Sequence, residues 1–118
     1  LMIRIEDRNT KMGAAQKHII GGLLQDVSVS GCCTSVQRPA HELCPGTAVR
    51  LEFELLGIGH ISNLNGIVKN VSEHLTHTEI GVEFLFNGTE FIEYRGWGGS
   101  VQKALEFFVM QKQPVDKL

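Results

Sequence analysis

The sequence predicts a mainly β domain, a small six-stranded antiparallel β-barrel followed by one C-terminal α-helix. Three observations predict it. Apolar and polar residues alternate over several short stretches, which is the period of half-buried strands. Clusters of glycine or proline separate these stretches, as expected of antiparallel connections. The last stretch instead has apolar residues at helical spacing, so we expect a helix that covers one opening of the barrel.

The amino-terminal third contains the first predicted hairpin. The stretches "MGAAQKHI" and "LLQDVSV" flank Gly21-Gly22, which predicts two strands joined at these glycines. Before them, "LMIRIEDR" is charged, and we expect residues 1–11 to form a mobile arm that carries Arg4 and Arg8. In the alternative, "LMIRIE" is itself a strand and holds Arg4 in a sheet. The barrel and helix then occupy residues 12–113, and residues 114–118 form a tail.

The middle of the chain supplies the remaining strands. "CCTSV" predicts a short strand, and the loop "QRPAHELCPG" follows it. "ISNLNGIVKNVSEH" and "TEIGVEFLF" predict two strands that "LTH" connects. The clearest alternation lies in "TAVRLEFELL", where one face is apolar and the other charged. The predicted inward residues of that strand are Val49, Leu51, Phe53 and Leu55, and the outward ones are Arg50, Glu52 and Glu54.

The predicted helix runs from about Ser100 to Lys112. Ser100 follows Gly98-Gly99 and is a suitable N-cap, and Pro114 ends the helix. One face of the helix is apolar, so it should pack on the sheet. That face consists of Val101, Ala104, Leu105, Phe108 and Val109.

Composition excludes several function classes. A chain of 118 residues is one domain, and its net charge of −2 predicts no general attraction to nucleic acid or to anionic membranes. No apolar run is long enough to span a membrane, and the amino end lacks the apolar segment of a signal peptide, so we expect a cytoplasmic protein without membrane insertion. Because the chain begins with leucine, we expect a piece of a longer protein.

Motifs for catalysis or metal binding do not emerge. Phosphate loops, zinc-protease motifs and nucleophile elbows are missing from the sequence, so we expect neither an enzyme nor a cofactor. The three cysteines are expected to be small, reduced thiols. The five histidines form no paired ligand motif, and His74 and His77 fall in a predicted turn, so no metal is expected. The segment "GWGGS" is read as a linker into the helix, with anion binding as the alternative.

Two short motifs resemble a known family. Arg4 and Arg8 form Arg-x-x-x-Arg, and Asp26, Ser28 and Gly31 form Asp-x-Ser-x-x-Gly downstream. In this order they resemble the signature of the PilZ domain family, bacterial receptors for cyclic di-GMP. The stretches "GTAVRLEFEL", "LNGIVKNV" and "IGVEFLF" resemble the later strands of that barrel, and the final helix also fits. The resemblance covers nearly the whole chain, although the segment between the two motifs is shorter than is usual.

The resemblance implies a cyclic di-GMP receptor that changes conformation on binding and signals to a partner protein or an attached domain, in motility, biofilm or exopolysaccharide control. The guanidinium groups of Arg4 and Arg8 would pair with phosphate or guanine edges and stack on bases. Asp26 would accept protons from guanine, and Ser28 would donate to phosphate or base. Gly31 would leave room for the ligand.

Two alternatives stay open at this point. Some PilZ-type domains bind no nucleotide and act as adaptors through protein–protein contacts. An unrelated small barrel that binds a partner through the apolar helix face, or through Trp97 and Phe91, is also compatible with the sequence.

Overall fold

The computed structural model describes residues 1–5, 18–37, 43–93 and 100–112. In this part of the chain, eight strands precede one helix, so the domain is mainly β with a C-terminal helix, as the sequence predicts. The elements are β1 (Met2–Ile5), β2 (His18–Gly21), β3 (Leu23–Val27), β4 (Gly31–Val36), β5 (Ala48–Leu55), β6 (Gly59–Glu73), β7 (Thr78–Leu85), β8 (Phe91–Glu93) and α1 (Val101–Lys112).

All strand pairs are antiparallel, in the order β2-β1-β5-β6-β7-β4-β3, with β8 added to β6. The prediction of six strands in a closed barrel is therefore wrong in two details. The described strands number eight, and they form a sheet that is not closed. Its end strands, β2 and β3, follow each other in the chain, separated by Gly22 alone. The two end strands are thus connected by the chain at Gly22, whereas a closed barrel would also require them to pair through hydrogen bonds.

The predicted hairpin at Gly21-Gly22 is also wrong. β2 pairs with β1, and β3 pairs with β4. A Cβ on Gly22 would lie 2.9 Å from both the Ser35 carbonyl oxygen and Thr34 Oγ1. Glycine is needed here because β4 passes close to the backbone, and such close approaches are another common reason for glycine besides a turn.

Strand β1 lies inside the sheet, between β2 and β5. Ile3 is fully buried, and Arg4 lies opposite Ile19 on one side and Arg50 on the other. This is the second of the two arrangements that the sequence left open for the amino end. Of the expected mobile arm, residues 2–5 are thus strand, and residues 6–11 lie outside the described residues.

Strand β6 has three neighbours. It pairs with β5 along one edge, between residues 59 and 67, while residues 60–62 pair with β8 and residues 65–73 pair with β7 along the other edge. Between these stretches, Asn63 has a left-handed backbone (φ 60°) and occupies an irregularity in the β5–β6 register. Its side-chain amide donates to the Thr89 carbonyl oxygen at 3.0 Å. The bulge and this bond lie at the point where the partner on that other edge of β6 changes from β8 to β7.

One core lies between the sheet and the helix. The predicted inward residues of β5 are all buried, which confirms the alternation. In β4, Cys32 is buried and Cys33 is partly exposed. Burial raises the pKa of the Cys32 thiol to about 12. The Lys103 amide donates to Ser100 Oγ at 3.2 Å, which confirms the predicted N-cap. The helix contributes Val101, Ala104 and Leu105 to the core.

Within the described residues, the structure contains no helix with the length and apolarity that a membrane span requires.

Candidate ligand-binding site

The Asp-x-Ser-x-x-Gly residues lie together at the turn between β3 and β4. The Ser28 amide donates to the Gly31 carbonyl oxygen at 2.8 Å, and the Gly31 amide donates to Ser28 Oγ at 3.1 Å. Ser28 Oγ also accepts from the Ser30 amide at 3.3 Å and donates to the Gly31 carbonyl oxygen at 3.2 Å. The hydroxyl of Ser28 therefore closes its own turn, which is a structural role for the side chain that we assigned to ligand binding.

Asp26 is exposed at the edge of this turn. Its Oδ1 accepts the Val27 amide at 3.0 Å, and among the described residues its Oδ2 has no hydrogen-bond donor. The register of β3 on β4 shifts between Leu24 and Asp26, so that Gln25 is an extra residue in β3. This bulge places two consecutive side chains, those of Gln25 and Asp26, on the solvent side while Val27 stays buried. Bulges commonly re-aim side chains in this way next to binding sites.

Gly31 has a different environment from the one that the resemblance implied. A Cβ at this position would collide with the Val82 carbonyl oxygen of β7 and lie 3.4 Å from the Glu83 Cα. The space beside Gly31 is thus filled by a neighbouring strand. Glycine here allows β4 and β7 to pair closely.

A cleft of about 410 Å³ opens beside Asp26. Glu54 of β5 adds a second carboxylate to its wall, and Phe108 of α1 adds an aromatic ring. The size is within the range of small-molecule sites. The other lining residues are Leu24, Gln25, Val27 and Leu56.

Arg4 lines a second groove, of about 230 Å³, on the outer side of β1 and β5. Arg50 lies directly opposite Arg4, and like charges in this position repel. Glu52 reduces the repulsion, because its Oε1 lies 3.9 Å from Arg4 Nη2. Asn63 and the half-exposed Phe91 complete this end of the groove. The groove therefore combines guanidinium groups with an aromatic side chain.

His60 links the two clefts. Its Nε2 lies 2.7 Å from Oε2 of Glu52, which lines the Arg4 groove, and its Nδ1 lies 3.0 Å from Oε1 of Glu54, which lines the Asp26 cleft. The pKa of His60 is raised, most strongly by the hydrogen bond to Glu52 and next by the hydrogen bond to Glu54. The structure thus places Arg4 and Asp26 in separate clefts whose walls meet through one imidazole. Arg8, the other predicted ligand residue, lies outside the described residues.

Sequence reasoning missed most of the residues that line these clefts, among them two charged and two aromatic side chains. Alternation placed Arg50 and Glu54 on the outer face of β5, but it did not indicate which other strands would border them. Phe108 was assigned to the core, and it does lie half-buried on the apolar face of the helix. Phe91 had a binding role only in the alternative of an unrelated barrel that contacts a partner protein. These side chains come together only because β1 pairs with β5 and because the helix lies beside the cleft. No short sequence pattern indicates either arrangement.

Comparisons with known proteins identify the fold. The sequence profile of the PilZ domain matches residues 4–91. The structure of MrkH from K. pneumonia in its apo state superposes with a TM-score of 0.60 at 18% sequence identity. The alignment covers 93% of this chain and 43% of MrkH, so the present chain spans less than half of that protein. A sequence comparison with curated proteins found no significant match.

Proposed function

Because this chain belongs to the PilZ domain family, a family of cyclic di-GMP receptor domains, we propose that it binds cyclic di-GMP and passes the signal to a partner protein or an attached domain. The observation that carries the proposal is the exposed carboxylate of Asp26, aimed outward by a bulge, at the rim of a cleft of ligand size. As expectations from the sequence we keep a cytoplasmic, non-enzymatic role without cofactor, nucleic acid or membrane insertion.

The chemistry of the Asp26 cleft is suited to a guanine base. Guanine presents the N1–H and the exocyclic amine on one edge, and a carboxylate accepts both protons. Asp26 supplies such an acceptor, and Glu54, which also lines the cleft, supplies another through the oxygen that does not contact His60. Two carboxylates repel phosphate, so we assign this cleft to a base. Apolar side chains from Leu24, Leu56 and Phe108 give the base faces to pack against.

The Arg4 groove has the opposite character and is suited to a phosphate or to the O6/N7 edge of a guanine. Arginine binds either partner through two parallel hydrogen bonds. An anion between Arg4 and Arg50 would also relieve the repulsion between these two cross-strand cations. Cyclic di-GMP contains two guanines and two phosphates, so one molecule can present a base to one cleft and charge to the next.

The resemblance adds Arg8 to this set. We propose that Arg8 closes over the bound ligand from the segment after β1, and that the closure is the conformational change that a partner detects. Arg4 lies in β1, so its contribution would come from a preformed position. Motility, biofilm formation and exopolysaccharide synthesis are the processes in which we expect the partner to act.

Titration calorimetry with cyclic di-GMP tests the proposal on the parent protein, on Asp26→Ala and on Glu73→Ala. Glu73 is an exposed carboxylate at the end of β6 that lines neither cleft, and it serves as the matched control. We expect Asp26→Ala to weaken binding by about 1–3 kcal/mol, the value of one good base-edge contact, and Glu73→Ala to bind like the parent. The same titration measures the stoichiometry. No binding by the parent, or equal affinity in Asp26→Ala, would contradict the proposal.

One observation favours a second candidate, the adaptor that binds no nucleotide. Arg4 lies in a strand with partners on both sides and has Glu52 as an ion-pair partner, so it cannot wrap a ligand as an arm residue would. Thermal unfolding discriminates between the two functions. A ligand that binds only the folded state raises the melting temperature, by an amount that grows with its concentration. An unchanged melting temperature at millimolar cyclic di-GMP would favour the adaptor.

A further inference from the structure

The tip of the β6–β7 hairpin gathers two imidazoles and a carboxylate. His74 Nε2 lies 3.5 Å from Glu79 Oε1, and His77 Nε2 lies 3.7 Å from Glu79 Oε2. One potential ligand atom from each of the three residues can be chosen so that all lie within 4.8 Å of one another. Both imidazoles thus direct the same type of nitrogen at one carboxylate.

The backbone of the hairpin holds this arrangement. The His74 amide donates to the His77 carbonyl oxygen at 2.9 Å, which closes the turn and places both residues on adjacent strand ends. The two rings stack with their centroids 4.7 Å apart and an angle of 15° between their planes. Glu79, the second residue of β7, lies on the outer face of the sheet next to them. The turn therefore fixes which residues lie next to one another, so that binding an ion would require only small movements of the side chains.

A further contact orients His77. Thr76 Oγ1 lies 3.2 Å from His77 Nδ1, which leaves Nε2 of the same ring directed at Glu79. Histidines that bind metals usually have their second ring nitrogen hydrogen-bonded to an oxygen in this way, because the bond sets the tautomer and the ring orientation.

We propose that His74, His77 and Glu79 form a binding site for a divalent transition-metal ion of the zinc class. Two imidazole nitrogens and one carboxylate oxygen are a donor set that zinc accepts, with water in the remaining position. Hard cations such as Mg²⁺ and Ca²⁺ prefer all-oxygen sites and are not expected here. The inference does not depend on the proposed binding of cyclic di-GMP.

The geometry requires only a small closure. Metal–ligand bonds of about 2.0–2.2 Å place ligand atoms roughly 3.4 Å apart, so atoms that lie within 4.8 Å of one another must approach by up to about 1.4 Å. The three side chains are 32–44% exposed and can rotate that far. Thr76 and His77 also line an open cleft of about 570 Å³ next to β3, so the His77 side of the cluster faces open space.

Calorimetric titration of the chelator-free protein with ZnCl₂ at pH 7.5 tests the site. The parent should bind one ion at this site, and His74→Gln, His77→Gln and Glu79→Gln should each weaken its affinity by at least about tenfold. Thr76→Val should weaken it by a smaller factor than the three ligand variants do, because it removes only the bond that orients the ring. His60→Gln removes another partly exposed imidazole that contacts carboxylates, and it should bind zinc like the parent. Circular dichroism should show every variant folded, since all the altered side chains are at least partly exposed.

Long-range ¹H–¹⁵N spectra of the imidazoles give an independent readout. Zinc should shift the Nε2 resonances of His74 and His77 while Nδ1 of His77 keeps its proton. The absence of zinc binding in the parent would overturn the proposal. Parental affinity in the His74→Gln/His77→Gln double variant, or an unshifted Nε2 in both rings at saturating zinc, would also overturn it.

Discussion

Replacing Gly31 by alanine distinguishes between two explanations of why glycine occupies this position. The resemblance attributes it to the space that a ligand needs, whereas the structure shows the space taken by the Val82 carbonyl oxygen of β7. A new methyl group at residue 31 would lie well inside van der Waals contact with that oxygen. Because the obstacle is backbone, it cannot rotate away, and the β4–β7 ladder must separate locally.

The expected cost follows from this collision. Overpacking by one methyl group typically costs about 1–3 kcal/mol, and here the strain acts directly on paired strands, so we expect the upper part of that range. Urea unfolding followed by circular dichroism measures it as a lower midpoint with an unchanged slope. Gly21→Ala is the matched control, because a Cβ at that β2 position meets no atom within 4 Å. Alanine there should be neutral or slightly stabilising.

The result that would refute this reasoning is equally specific. If Gly31→Ala unfolded at the parental midpoint, the close β4–β7 contact could not be the reason for glycine. Loss of cyclic di-GMP affinity with unchanged stability would instead favour the explanation by ligand space.

Three further predictions concern the arginines and His60. Arg8→Ala should weaken cyclic di-GMP binding severely, and Arg8→Lys should restore little, because an ammonium group cannot form a bidentate or stacked contact. Parental affinity in Arg8→Ala, measured by calorimetry, would exclude a role of Arg8 in binding. Amide exchange near Arg8 should slow at saturating ligand while that of Arg4, already in β1, changes less; equal rates with and without ligand would argue against closure. The hydrogen bonds to Glu52 and Glu54 raise the pKa of His60. The stability that these bonds give the fold is therefore fully present below about pH 6.5, and it is lost as the pH rises through the raised pKa of the folded state. His60→Gln should therefore cost more stability at pH 5.5 than at pH 9, by no more than about 1 kcal/mol for such an exposed pair, and equal costs in urea unfolding would contradict this.

Local patterns predicted the elements whose formation depends on near neighbours. The alternation in "TAVRLEFELL" identified the buried and exposed faces of β5, because successive side chains of a strand point to opposite sides. Helical spacing and Ser100 predicted α1 and its first turn, because capping involves residues only three apart. The same locality explains why the turn residues of Asp-x-Ser-x-x-Gly could be recognised in the sequence.

Predictions that required a choice of distant partner were less successful. Gly21-Gly22 has the composition of a turn, but β2 and β3 pair with different strands, and only the packing of β4 against Gly22 shows why. The bulge at Gln25, which exposes Asp26, depends on the register between β3 and β4. Register follows from the burial of whole strand faces, which a short stretch of sequence does not specify.

The sequence by itself determined the fold class, the faces of the main strands, the terminal helix and, through its motifs, the family. Tertiary structure alone decided that β1 lies inside the sheet, that Glu54 and Phe108 share a cleft with Asp26, and that His60 bridges this cleft to the Arg4 groove. It also decided that Glu79 meets both imidazoles of the β6–β7 turn. The physical reason is that alternation and capping are properties of adjacent residues. A binding site is a meeting of side chains far apart in the chain, and it exists only once the strands have paired.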